Sequence, residues 1–146
     1  MPPDAGYSGT PLVKKLGVKD NHRVAVLNAP AGFLDDLEWP TSAHLAEALP
    51  DEKCDVILFF TKERMELEQS IVSLKGQLTS AGGLWIAWPK KAAKVPTDLT
   101  EDVVRAIALR NGLVDNKVCA IDATWSGLRL VFRLKDRPKT AAKRKA

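Results

Sequence analysis

A chain of 146 residues with 45% hydrophobic and 27% charged content is long enough for one domain with a sizeable core. The net charge of +4 is unevenly spread: seven of the 22 basic residues but only one of the 18 acidic ones lie from Arg133 onward, so residues 1–132 carry −2. That distribution argues against a generally basic, polyanion-coating domain and assigns the positive charge to a tail.

The opening Met1-Pro2-Pro3-Asp4 has neither a basic segment nor an apolar stretch, and the longest strongly apolar run, Val56–Phe60, is far too short to span a bilayer. The expectation is a cytoplasmic protein without membrane contact. Residues 1–9, with Gly6-Tyr7-Ser8-Gly9, read as a flexible lead. Thr10-Pro11 has the pattern of an N-cap and first helical position, opening a short helix through Leu16 that Gly17 ends. Arg23–Leu27 reads as a buried strand. Phe33, Leu34 and Leu37 then share one face of a helix expected from about Gly32, and Pro40 stops it. Residues 41–53 fit either a short helix or a weak edge strand.

The near-continuous apolar run Cys54–Thr61 is that of a parallel strand buried on both faces. Leu67, Ile71, Leu74 and Leu78 predict a helix over Glu63–Ser80, capped by Gly82-Gly83. Leu84–Trp88 is the next buried strand. A further helix is expected from about Asp98, where Asp98 and Glu101 have capping-box spacing; Leu99, Val103 and Ile107 point inward, and Asn111-Gly112 marks its end. Lys117–Ile121 and Leu128–Arg133, joined by a turn over Asp122–Gly127, should pair antiparallel. One domain over residues 10–134 follows, with a basic tail over 135–146 whose composition predicts disorder.

This strand–helix alternation predicts a three-layer, Rossmann-like α/β domain, its mostly parallel sheet ending in an antiparallel hairpin. The architecture resembles class I S-adenosylmethionine-dependent methyltransferases. A closer resemblance, to a small bacterial family known as domain of unknown function 3052, is carried by several blocks. They are Ala5–Leu12, Leu27–Pro30, Gly83–Lys91, Thr97–Glu101, Gly112–Ala120 and Trp125–Arg129. It covers nearly the whole folded body and implies no activity.

Ligands of open α/β sheets sit beyond the carboxyl ends of the strands, and a nucleotide-binding turn there carries several glycines. In Asn28-Ala29-Pro30-Ala31-Gly32 only Gly32 remains, and Pro30 removes an amide donor. The methyltransferase resemblance also implies a ribose-binding acid after the second strand; Glu47, Asp51 and Glu52 are near, none clearly at a strand end. The rim candidates are Asn28, Ala29, Pro30, Gly32, Trp88, Lys90, Lys91, Asp98, Asp122, Trp125 and Ser126. Aromatic faces, ammonium groups and carboxylates together suit a planar or anionic small molecule.

Duller roles compete at each position. Trp85 and Trp88, three apart in a strand, face opposite sides, so one of them belongs to the core. Asp98 reads as a helix cap, Lys90-Lys91 as a solvated loop, and Trp125-Ser126-Gly127 as a hairpin turn. Asp115-Asn116-Lys117 precedes its strand and lies at the opposite end of the sheet, suited to holding a connection or meeting a partner. Cys54 and Cys119 sit in apolar runs as buried free thiols, and with His22 and His44 isolated no metal site or nucleophilic triad is expected. The leading expectation is a non-catalytic module binding an unknown small molecule or protein, with no cofactor. Two alternatives stand beside it: a minimal methyltransferase using S-adenosylmethionine, and weak, non-specific nucleic-acid contact through Lys135–Lys145.

Overall fold

A computed structural model describes residues 11–133, so the expected flexible lead over 1–9 and basic tail over 135–146 lie outside the described residues. The described residues form a six-stranded sheet with three helices, in chain order α1 (Leu12–Leu16), β1 (Arg23–Leu27), β2 (His44–Ala46), β3 (Cys54–Phe60), α2 (Arg64–Gly76), β4 (Leu78–Pro89), α3 (Glu101–Arg110), β5 (Leu113–Ala120) and β6 (Trp125–Phe132). The sheet order is β2-β1-β3-β4-β6-β5. β2, β1, β3 and β4 are mutually parallel, while β6 runs antiparallel to both β4 and β5. The mostly parallel sheet with its closing antiparallel hairpin is therefore as the alternation implied. The chain leaves β1 toward β2 on one side and returns to β3 on the other, so the topological switch point lies between β1 and β3.

Strand alternation divides the core in two. Ile57, Phe59, Leu84, Ile86, Trp88 and Leu128 point to one face, where Leu67, Ile71 and Leu74 of α2 and Val104 and Ile107 of α3 cover them. Val24, Val26, Leu58, Phe60 and Trp85 point to the other, against Leu12 and Leu16 of α1 and Phe33. Each such buried side chain contributes about 1.5–3 kcal/mol relative to exposure. Trp85 also donates its indole N–H to the Leu16 carbonyl at 3.0 Å, pinning α1 to the sheet.

Several expectations need correction, beginning with Asp115-Asn116-Lys117, which lie inside β5 rather than before it. No helix follows β1: residues 31–36 form successive turns, and Gly32 has φ 79°, which a right-handed helix cannot accept. Phe33, Leu34 and Leu37 still pack inward. The helix expected to reach Ser80 ends at Gly76, and Leu78, which continues its spacing, instead opens β4 opposite Cys54. Gly82-Gly83 thus lies within a strand and caps nothing. α3 begins at Glu101 with Thr100 as its cap, the hydroxyl accepting from the Val103 amide, so Asp98 has another role. Finally, Trp125 and Ser126 already belong to β6, and the turn before them is shorter than expected. The ambiguous stretch 41–53 resolves into the edge strand β2, only three residues long.

Candidate functional site

The carboxyl ends of β1 and β3 meet at the switch point, where the first residue after β1 is Asn28. Its backbone takes φ 60°, a left-handed conformation that Asn tolerates better than most residues. The turn directs its amide across the crevice: Nδ2 donates to the Phe60 carbonyl at 3.1 Å and to Glu66 Oε2 at 3.3 Å. Glu66, in the first turn of α2, accepts the Thr61 hydroxyl on its other oxygen. Thr61 is buried, and its hydroxyl also accepts the Glu63 amide at 3.2 Å. The ends of β1, β3 and α2 are tied together by this network.

Beside it stands an aromatic column. Phe33 and Trp125 each meet the Phe60 ring edge-on, with centroids 5.0 Å away. Asp122 sets the position of Trp125, because its Oδ1 accepts the amides of Thr124 and Trp125, both at 2.8 Å. Lys90 joins the same turn through its amide to the Thr124 carbonyl at 2.7 Å.

The other sequence candidates scatter. Trp88 is buried against the α2/α3 face while Trp85 is buried on the opposite one, so both tryptophans are core and neither opens onto the rim. Ser126 pairs with Trp88 in the β4–β6 ladder. Asp98 accepts the Arg64 amide at 2.7 Å, so its carboxylate sits at the N-terminus of α2, a favourable place for negative charge. Lys90 is half-buried and Lys91 exposed, and neither forms an ion pair with a described residue. Ala29 packs against the α1-side core; Pro30 is half-buried and Gly32 exposed.

A cleft of about 860 Å³ lies elsewhere, between α1, residues 33–40 and the residues that follow β5. Of the eleven rim candidates it includes Asp122 alone. Leu12, Val18 and Phe33 give it an apolar floor, and Trp39 stands in the wall with its indole N–H on the Leu34 carbonyl at 3.0 Å. Asp20, Asp36, Glu38 and Asp122 face it with Lys14 as the opposing charge. Sequence reasoning missed this cleft because it assigned residues 32–39 to a helix. The run Asp35-Asp36-Leu37-Glu38-Trp39-Pro40 was the available signal.

Cys54 is buried, and desolvation pushes its thiol up to about 11. Cys119, half-buried rather than buried, is shifted upward by the same cause. Both are therefore protonated near neutrality and poorly nucleophilic. Among the described residues no cluster of His, Cys, Asp or Glu could hold a metal ion. No helix there is long and apolar enough to cross a membrane.

The fold is that of the Rossmann-like methyltransferases. A methyltransferase from Aquifex aeolicus that depends on S-adenosylmethionine superposes with a TM-score of 0.61 at 17% identity, over 82% of this chain and 86% of its own. A fibrillarin pre-rRNA processing protein from Methanococcus jannaschii does so with 0.58 at 15%, over 86% and 70%. The ribosomal protein L11 methylase of Lactobacillus delbrueckii subsp. bulgaricus gives 0.56 at 14%, over 84% and 75%. Such low identities establish the architecture alone. By sequence, residues 29–134 match the family described as "Protein of unknown function (DUF3052)", and the chain belongs to that family. No curated protein matches it.

Proposed function

We propose that this protein is a non-catalytic, cytoplasmic small-ligand-binding module that keeps a methyltransferase-like fold without transferring methyl groups. The observation that carries this reading is the Asn28 bridge. At the switch point, where ligands of open α/β sheets bind, the amide of Asn28 spans from β1 to the Phe60 carbonyl and to Glu66. These hydrogen bonds span the crevice with the protein's own side chains. S-adenosylmethionine fits this turn poorly: Pro30 offers no amide donor, and the position with φ 60° holds Asn28 rather than a glycine that would let a ligand approach the backbone.

The open 860 Å³ cleft beside α1 is the better receptor, within the usual range for small-molecule sites. Its apolar floor and carboxylate-rich wall suit an amphipathic ligand whose polar end is cationic or rich in hydroxyls.

One observation favours the alternative, a minimal methyltransferase. Glu47 directly follows β2, the neighbour of β1, where a ribose-binding carboxylate would stand. Calorimetry separates the two. S-adenosylmethionine and S-adenosylhomocysteine are expected to bind no tighter than about 1 mM, whereas aromatic amines screened by tryptophan fluorescence should bind and lose affinity in Asp36→Asn and Glu38→Gln. Micromolar binding of S-adenosylmethionine, abolished by Glu47→Gln, would establish the alternative instead.

A further inference from the structure

A second pocket of about 450 Å³ opens at the amino ends of the parallel strands, among α1, the start of β3, the first half of β4 and the bulged middle of β5. Among the described residues its walls carry the side chains of Lys14, Lys19, Lys117 and Arg129, with Asp55 the one carboxylate. These cations come from segments more than a hundred residues apart in sequence, so folding alone assembles them. They converge in a body whose residues 1–132 are net negative.

Arg129 is the centre of the arrangement. It lies in β6 opposite Trp85 of β4 and Lys117 of β5. Its guanidinium lies over Gly83, where any Cβ would collide with it. It reaches the Asn116 side-chain oxygen at 3.4 Å and forms no ion pair with a described residue. Burial lowers its pKa from the ordinary value, yet a guanidinium stays charged at any working pH. Asp55 already accepts the Arg23 amide at 2.9 Å. Lys117 donates to the Lys15 carbonyl at 3.0 Å, which leaves its ammonium two further donors.

Gathering like charges around a half-buried guanidinium is unfavourable unless an anion offsets it. We propose that this pocket binds a small phosphate-bearing anion, the diphosphate or triphosphate group of a nucleotide-like metabolite. Arg129 supplies the planar fork that pairs bidentately with phosphate oxygens, and the lysines supply point charges around it. The concave, bounded shape favours a small molecule over a nucleic acid, whose backbone follows an extended basic stripe. Gly83 has a role here too, since its missing side chain leaves the room in which the guanidinium lies. The site shares only Lys14 with the α1 cleft, so it stands or falls independently of the function proposed above.

The test is calorimetry of the full-length protein with inorganic pyrophosphate and tripolyphosphate at low salt. Binding is expected to weaken at least about tenfold in Arg129→Gln and in Lys14→Gln/Lys19→Gln. Gly83→Ala should weaken it as well, because it displaces the guanidinium while keeping every charge. Lys90→Gln/Lys91→Gln on the far rim and Lys143→Gln/Arg144→Gln/Lys145→Gln in the tail should leave it unchanged. If Arg129→Gln fails to fold, the exposed pair Lys14 and Lys19 decides the matter. Absence of pyrophosphate binding, binding that survives the pocket variants, or binding lost with the tail residues would each overturn the proposal. So would a single-stranded oligonucleotide that binds through these residues when pyrophosphate does not.

Discussion

Asn28 and Cys54 show what a single residue's type does and does not announce. That the turn after β1 lacks glycines is plain from Asn28-Ala29-Pro30-Ala31-Gly32. That Asn28 bridges the ends of β1 and β3 is not, because its acceptors, Phe60 and Glu66, lie 32 and 38 residues away. For Cys54 the apolar run announced burial, and burial has a consequence in pH. The folded thiol ionises at about 11 against an ordinary 9.0. Its folded pKa is raised, so the stability it contributes is complete below about pH 9 and is lost as pH climbs toward 11. Chemical denaturation of wild type and Cys54→Ala should therefore converge between pH 8 and roughly 10.5, with wild type losing on the order of 2 kcal/mol of its advantage. The ionising lysines are common to both proteins and cancel. A gap that stays constant with pH would show that the thiol is not desolvated.

Among the elements, those with strong periodicity were legible and those set by long-range pairing were not. β1 and β3 appear at nearly the residues their apolar runs indicate. The end of α2 was misread because Leu78 is buried under either assignment, and only its pairing with Cys54 distinguishes strand from helix. β2, with two of its three residues exposed, carries no apolar signal and exists because β1 offers it a free edge. β4 tests the two-faced core directly. Trp85 and Trp88 belong to opposite clusters, so Trp85→Ala and Trp88→Ala should each cost about 3–5 kcal/mol in denaturant unfolding. If either substitution proved nearly neutral, that side chain would face solvent and the corresponding half of the core would be misassigned.

For the molecule as a whole, charge is where counting and folding part company. Residues 1–132 sum to a mildly acidic body, yet the fold sorts their charges into a carboxylate-rich cleft on one side of α1 and a cationic pocket on the other. Lys90 and Lys91, placed on the candidate rim from sequence, have no ion-pairing partner among the described residues. Lys90→Ala/Lys91→Ala should change unfolding free energy by no more than about 0.5 kcal/mol per site, as surface substitutions away from ion pairs and the core do. A larger loss, read from the denaturation midpoint, would make these lysines structural. The amino-acid sequence by itself determined the α/β class, the parallel strands and the closing hairpin, because hydrophobic periodicity and short turns are local properties of the chain, while the family was legible from residue blocks such as Gly83–Lys91. Which side chains share a cleft was decided only by the tertiary structure. The 33–40 turns that shape the acidic cleft depend on packing against α1 and the sheet. The cationic pocket depends on strand pairings that bring Lys117 and Arg129 beside α1, and no local pattern encodes a contact made across a hundred residues.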